Sequence, residues 1–262
     1  MQALHNTLKA YVKSKFCVWK CAKEVLKVIF PAKWLAFVDF YLSIMPKDSL
    51  GGGFNGQIRR REIFFDLNKA LSFNALVETG SLRGSTSELL STQTNAPLYA
   101  VEINPRHYYY TSFRLQKNPN ARIFLGDSVS FLKRLQNDRG FPKRDVFFYL
   151  DAHWLNYLPL RDELEIIAKN FAQSVIMIDD FQVPDDPGYG FDDYGPGKKL
   201  CLEYLQLETY TNLKAFFPAA HSSTETGARR GCVVLVTKGA AFETIKKIKS
   251  LRPYDTTSFS LR

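Results

Sequence analysis

Between residues 75 and 178, short apolar runs alternate with stretches of helical periodicity. The runs cover 75–78, 98–102, 122–125, 146–150 and 175–178, and the helical stretches between them cover 85–91, 106–116, 129–137 and 160–170. Strand–helix alternation of this kind calls for a parallel sheet with helices on both faces. A helix at 58–73 precedes the pattern; a strand at 232–237 and a helix at 240–251 close it. The expected architecture is α/β with a mostly parallel sheet. Hydrophobic residues make up 45% and charged residues 23%, enough apolar material for one large core. The 21 Phe and 13 Tyr exceed ordinary usage, so some of them are expected to line a ligand pocket.

The front of the chain reads differently. Residues 4–30 carry apolar side chains at helical spacing, with Lys9, Lys13, Lys20 and Lys27 on the other side. Such a helix either packs on its own domain or a sister subunit, or lies on an anionic membrane surface. Pro31 ends it, a second apolar patch spans 34–45, and Gly51-Gly52-Gly53 reads as a loop or linker. The division expected from this is a helical extension, 1–53, and a main domain, 54–262. The formal net charge is +9, and residues 1–50 hold eight Lys against Glu24, Asp39 and Asp48. A basic balance suits nucleic acid, a membrane surface, an acidic substrate or simple solubility. Cys17, Cys21, Cys201 and Cys232 form no metal or disulfide pattern, which points to a reducing cytoplasm. No uncharged apolar run approaches the ~18 residues of a spanning helix, and the start lacks a signal peptide's pattern.

Three motifs follow successive strands. Val77-Glu-Thr-Gly-Ser-Leu-Arg-Gly84 joins the first strand to its helix, where glycines allow a sharp turn and close approach to a ligand. Glu102 ends the second strand, about 20 residues on, the place from which a carboxylate accepts bonds from ribose hydroxyls. Gly126-Asp127-Ser128 follows the third; its side chains can read an adenine edge or cap the next helix. In this order the motifs resemble the nucleotide site of class I S-adenosylmethionine (SAM)-dependent methyltransferases over residues 55–237, which implies a Rossmann-like fold with a mostly parallel, seven-stranded sheet. The Val77-Glu-Thr-Gly turn is similar to that of the macrocin and novobiocin O-methyltransferases and of methyltransferase-like proteins from bacterial sugar and polysaccharide clusters. The resemblance implies that Glu78, Gly80 and Gly84 hold the methionine end of SAM. Glu102 would bind the ribose, and Asp127 and Ser128 would lie near the adenine. Thr79, Ser81, Ser85, Ile103, Gly126 and Asp151 complete the expected cofactor site.

A fourth constellation bears on chemistry. Asp151-Ala-His-Trp154 ends the fourth strand and Asp179-Asp180 the fifth. Ligands of open parallel sheets bind outside these strand ends, so three carboxylates are expected to converge there. Mutually repelling carboxylates are reconciled by a hard divalent cation. The resemblance to metal-dependent O-methyltransferases implies Asp151, Asp179 and Asp180 as ligands of Mg²⁺ or another divalent cation, which would grip an acceptor hydroxyl. His153 is two residues past Asp151, and an imidazole there can take the hydroxyl proton or merely tie down a loop. Asp151 and His153 are thus the catalytic candidates. The turn-rich loop 183–197 reads as a lid, and Arg229 and Arg230 as a grip for a carboxylate or phosphate. The expected activity is O-methylation of a small molecule, such as a sugar, glycoside or polyketide-like acceptor. A nucleic-acid methyltransferase is the alternative, although the place of its usual Pro-Pro-aromatic motif holds Asp151-Ala-His-Trp154. A non-catalytic nucleotide fold docking to a membrane or partner, and a metal-dependent hydroxylase, also stay open.

Overall fold

The computed structural model describes residues 30–42, 47, 48, 51–153, 157–210, 212–237 and 239–254. The basic helix expected over 4–30 lies outside them, apart from residue 30. The described helices are α1 (Ala32–Tyr41), α2 (Ile58–Ala70), α3 (Ser85–Thr92), α4 (Pro105–Leu115), α5 (Ser128–Asn137), α6 (Leu160–Asn170), α7 (Leu202–Leu205) and α8 (Ala240–Ile245). The strands are β1 (Ala75–Thr79), β2 (Leu98–Glu102), β3 (Ala121–Leu125), β4 (Val146–Leu150), β5 (Val175–Ile178), β6 (Leu213–Pro218), β7 (Val233–Thr237) and β8 (Leu251–Pro253). They form one sheet in the order β3-β2-β1-β4-β5-β7-β6-β8. The first five are parallel; β7 inserts antiparallel beside β5, and β6 and β8 continue antiparallel from it.

The sheet therefore has eight strands rather than the expected seven. Six of them match strands located in the sequence; β6 and β8 were not located there. Lys214 and the closing Pro218 mask the short apolar pattern of β6. β8 is a three-residue edge strand that starts at Leu251, the last residue of the helix expected over 240–251; that helix stops at Ile245, and Leu251 pairs with Pro218 instead.

Successive side chains of each central strand enter different cores, as period-two alternation requires. Val77, Val101, Phe148 and Leu150 pack with Phe131, Leu132 and Leu135 of α5 and Leu164 and Ile167 of α6. Leu76, Ala100, Phe147, Tyr149 and Met177 pack with Ile63, Phe64 and Leu67 of α2. Burial on both faces is why these strands read as nearly continuous apolar runs. α1 lies on α4: Phe40 meets the Tyr110 ring edge-on at 5.3 Å, and Asp39 pairs with Arg106. Trp34 and Phe37 of α1 stay about half exposed. Among the described residues, no helix is long and apolar enough to cross a membrane.

The strand order places the topological switch between β1 and β4, whose chains leave in different directions. Asp151 N donates to Thr79 O (3.0 Å), and Gly80 N to Val101 O (3.0 Å), so three strand ends are tied at one place. Beneath it, Glu163 of α6 is buried near the hydroxyls of Thr79 and Ser128, none of which completes a hydrogen bond of normal geometry. Burial pushes the Glu163 carboxyl up to about 7, against the opposing pull of those hydroxyls. The folded chain thus keeps a proton that the unfolded chain releases from its ordinary value of 4.5 upward, so Glu163 makes stability fall as pH rises toward 7. Glu163→Gln is expected to remove that slope, and above pH 7 to be more stable than the native chain by on the order of 3 kcal/mol in urea unfolding.

Candidate active site

The turn after β1 is shaped by contacts that leave no room for side chains. Gly80 has φ +82°, and a Cβ there would lie 2.2 Å from the Asp151 carbonyl oxygen. Gly84 begins α3 at φ +71°, where a Cβ would meet Thr111 at 2.7 Å. Glu102 closes the same turn: its Oε2 accepts from Leu82 N (2.7 Å) and its Oε1 from Asn104 N (2.8 Å). Burial raises its pKa, and these backbone donors pull the other way. Glu78 is fully enclosed with the Ser87 hydroxyl donating to it, and burial pushes it up to about 8, so it holds its proton at neutral pH.

Most of the residues expected around a cofactor line one cleft of about 630 Å³: Glu78, Gly80, Ser81, Ser85, Glu102, Ile103, Gly126, Ser128 and Asp151. Thr79, Gly84 and Asp127 do not. Thr79 turns its hydroxyl toward Glu163, and Gly84 serves as the N-cap of α3. Asp127 settles into the capping alternative, accepting from Ser130 N (2.8 Å), which holds its carboxyl below the usual range.

Asn55 also lines the cleft, and residue types alone did not point to it. The Gly-rich stretch read as a linker is a packed lip. Phe54 is buried, its N donating to Thr86 Oγ1 (2.9 Å), and Phe54 and Asn55 both hold φ +54°. A buried Phe directly after three glycines was the available sign that this segment docks.

At the other end of the cleft stand Asp151, His153, Asp180, Asp192 and Arg230. His153 is 2% exposed in its side chain, and its Nε2 has no hydrogen-bond partner. That nitrogen lies 3.8 Å from Asp151 Oδ1, 4.0 Å from Asp180 Oδ2 and 3.9 Å from Asp192 Oδ2. One ligand atom each from Asp151, His153 and Asp180 fall within 4.8 Å of one another. Burial and the neighbouring carboxylates raise Asp151 well above the usual carboxylate range, and burial pushes Asp180 up to about 6. Burial pushes His153 down to about 4. A neutral imidazole facing three carboxylates beyond hydrogen-bond reach is the arrangement a cation would reconcile, and these donors fit one.

Asp179 does not join this group. It is completely buried; Oδ1 pairs with the Arg60 guanidinium and accepts from Asp180 N (2.5 Å), and Oδ2 accepts from the Tyr149 hydroxyl. Arg60, itself 1% exposed, also donates to Arg230 O (2.6 Å) and Gly231 O (3.0 Å). Asp179, expected as a metal ligand, has both oxygens engaged in the interior, and the group that could hold an ion is Asp151, His153 and Asp180. Sequence could not separate the two aspartates, because their division of labour depends on Arg60, 119 residues away. Arg230 likewise grips the carboxylates of Asp180 and Asp192 rather than standing free.

The fold is a Rossmann-like one that solved O-methyltransferases share. The chain is similar to the O-methyltransferase TomG from Streptomyces achromogenes, involved in tomaymycin synthesis and solved with SAM. Their TM-score is 0.52 at 14% identity, covering 80% of this chain and 91% of that one. It is similar also to an O-methyltransferase from Bacillus cereus in complex with SAH (TM-score 0.52, 13% identity, 82% and 96% covered). A third similar structure is a Klebsiella pneumoniae protein described as an O-methyltransferase (TM-score 0.52, 11% identity, 83% and 96% covered). No protein-family model and no curated protein matches the sequence.

Asp179→Asn would leave Arg60 charged, buried and short of its partner. Urea unfolding is expected to show a loss of about 3–5 kcal/mol. A ligand role for Asp179 predicts the reverse pattern, with stability kept and cation binding lost.

Proposed function

We propose that the chain is an enzyme that methylates a hydroxyl of a small molecule with SAM, assisted by a divalent cation. The observation that carries this reading is the continuity of one cleft, from Glu102 and Ser128 at one end to Asp151, His153 and Asp180 at the other. When bound, SAM supplies an activated methyl group, and a cation lowers the pKa of an acceptor hydroxyl and fixes its oxygen. The residues that would hold SAM are Glu102 at the ribose, Ser128 and Gly126 toward the adenine, and Gly80, Ser81 and Ser85 toward the methionine. Asp151, His153 and Asp180 would hold the cation.

The protein's own work is alignment. Gly80 lets the turn reach the Asp151 backbone, and that approach sets the separation between the two halves of the cleft. Holding two reactants in attack geometry supplies much of the acceleration available to a displacement of this kind. Glu78, protonated, adds no charge where the cofactor's charged methionine end would sit. His153 bears on which divalent cation the site would take. Oxygen donors alone favour Mg²⁺, whereas an imidazole among them admits Mn²⁺ or Fe²⁺ as well.

Glu102→Ala removes a charge-assisted contact worth about 1.5–3 kcal/mol, so calorimetry should show S-adenosylhomocysteine binding weakened at least about tenfold. Unchanged affinity removes Glu102 from the site. Chelation is expected to leave S-adenosylhomocysteine binding intact and to stop methyl transfer to a panel of sugar, glycoside and phenolic acceptors. Transfer that continues in chelator overturns the cation's part.

A further inference from the structure

Asp192 belongs to the turn-rich loop 183–197, yet its carboxylate approaches the same imidazole nitrogen as the strand-end aspartates. Its Oδ2 is 3.9 Å from His153 Nε2, nearly matching Asp151 Oδ1 at 3.8 Å and Asp180 Oδ2 at 4.0 Å. Three carboxylate oxygens surround a single buried nitrogen that has no partner. The remaining oxygens of Asp180 and Asp192 face the other way, toward Arg230. Its Nε donates to Asp180 Oδ1 (2.9 Å) and its Nη2 to Asp192 Oδ1. Each of these two carboxylates thus presents one oxygen to a guanidinium and the other to His153, the Asp192 Oδ2 also accepting from the Tyr194 hydroxyl.

Both partners of this clamp are anchored by backbone. Asp192 N donates to Asp180 O (2.9 Å), and Leu200 N donates to Asp192 O (2.9 Å). Arg230 N donates to Gln57 Oε1, and Arg230 O accepts from Arg60. The loop is therefore docked on the end of β5 through the same residues that surround the nitrogen.

We propose that Asp192 is a fourth donor of the cation site, and that Arg230 is the positioning residue that turns Asp180 and Asp192 toward one ion. The proposal rests on the cation-assisted reading above. Charge supports it: three carboxylates against one guanidinium leave two negative charges, the complement of one divalent cation. Geometry supports it as well. A guanidinium standing in for the ion would sit beside His153, whereas Arg230 takes the oxygens on the far side. Carboxylate ligands are commonly oriented by outer hydrogen bonds of this kind, and a planar fork can bridge two of them where an ammonium cannot.

The test uses the full chain with Mn²⁺ alone, without cofactor or acceptor, and reads free Mn²⁺ by electron paramagnetic resonance. Wild type is expected to bind one Mn²⁺. Asp192→Asn should weaken binding at least about tenfold, and Arg230→Met about 10–100-fold. Arg230→Lys should recover part of that loss, because it restores the charge but not the bridge; this recovery separates positioning from packing. If Arg230→Met does not fold, Arg230→Lys and Arg230→Gln carry the comparison. Arg230→Met that binds as tightly as wild type, or more tightly, overturns the positioning role. Unchanged binding by Asp192→Asn removes Asp192 from the site. If only Asp151→Asn and Asp180→Asn lose Mn²⁺, the cation reading stands and this proposal falls. A wild-type protein that binds S-adenosylhomocysteine but no Mn²⁺ overturns both.

Discussion

The contact of Gly80 with the Asp151 backbone is the constraint on which the cleft depends. Two neighbouring parallel strands end there and their chains diverge. The turn after β1 must pass so close to β4 that no Cβ fits, since the nearest oxygen would be 2.2 Å away. That approach sets the distance between the Glu102 region and the aspartates. It also explains why glycine, with its freedom at φ +82°, occupies this position. Glu102 reinforces the arrangement from β2 by accepting from the backbone of the same turn. A carboxylate suited to ribose hydroxyls is therefore also a strut of the turn, and replacing it disturbs both.

Charge is organised in two layers at the ends of β4 and β5. The inner layer is the pair of Arg60 and Asp179, fully enclosed and supported by the Tyr149 hydroxyl. The outer layer is Arg230 with Asp180 and Asp192, about a quarter exposed and open to the cleft. The layers are joined by backbone, because Arg60 donates to the carbonyls of Arg230 and Gly231. Buried ion pairs of the inner kind give little net stability against an apolar replacement, but they are costly to break. Here the pair sets the direction of Asp179, which leaves Asp180 as the residue that faces outward at φ +50°.

Much of this was legible in the sequence. The five parallel strands, the helices between them and the turns that line one end of the cleft follow from periodicity and turn motifs, because local chemistry decides them. Three features were not legible for one shared reason: each depends on a partner far along the chain. Asp179 turns inward because of Arg60. Asp192 joins the cluster because a turn-rich loop folds back on β5. The glycine run at 51–53 is a docked lip because Phe54 fills a buried position beside Thr86. β8 was hidden differently, since three residues on a sheet edge leave almost no pattern to read.

The lip has a bearing on when the cleft comes into being during synthesis. Ile58 N donates to Thr226 Oγ1, Thr226 Oγ1 to Gly56 O, and Arg59 N to Glu225 Oε1, joining residues some 166–170 positions apart. Gly227 meets the same lip so closely that a Cβ there would lie 2.4 Å from Asn55 O. A chain emerging from the ribosome can pair β1 through β5 and bury much of its core before these stitches exist. The wall that carries Asn55 must wait for the segment just ahead of β7. The half of the cleft formed by the ends of β1 to β3 is thus built from early, nearby contacts, whereas closure of the cleft is among the last and most non-local events of folding.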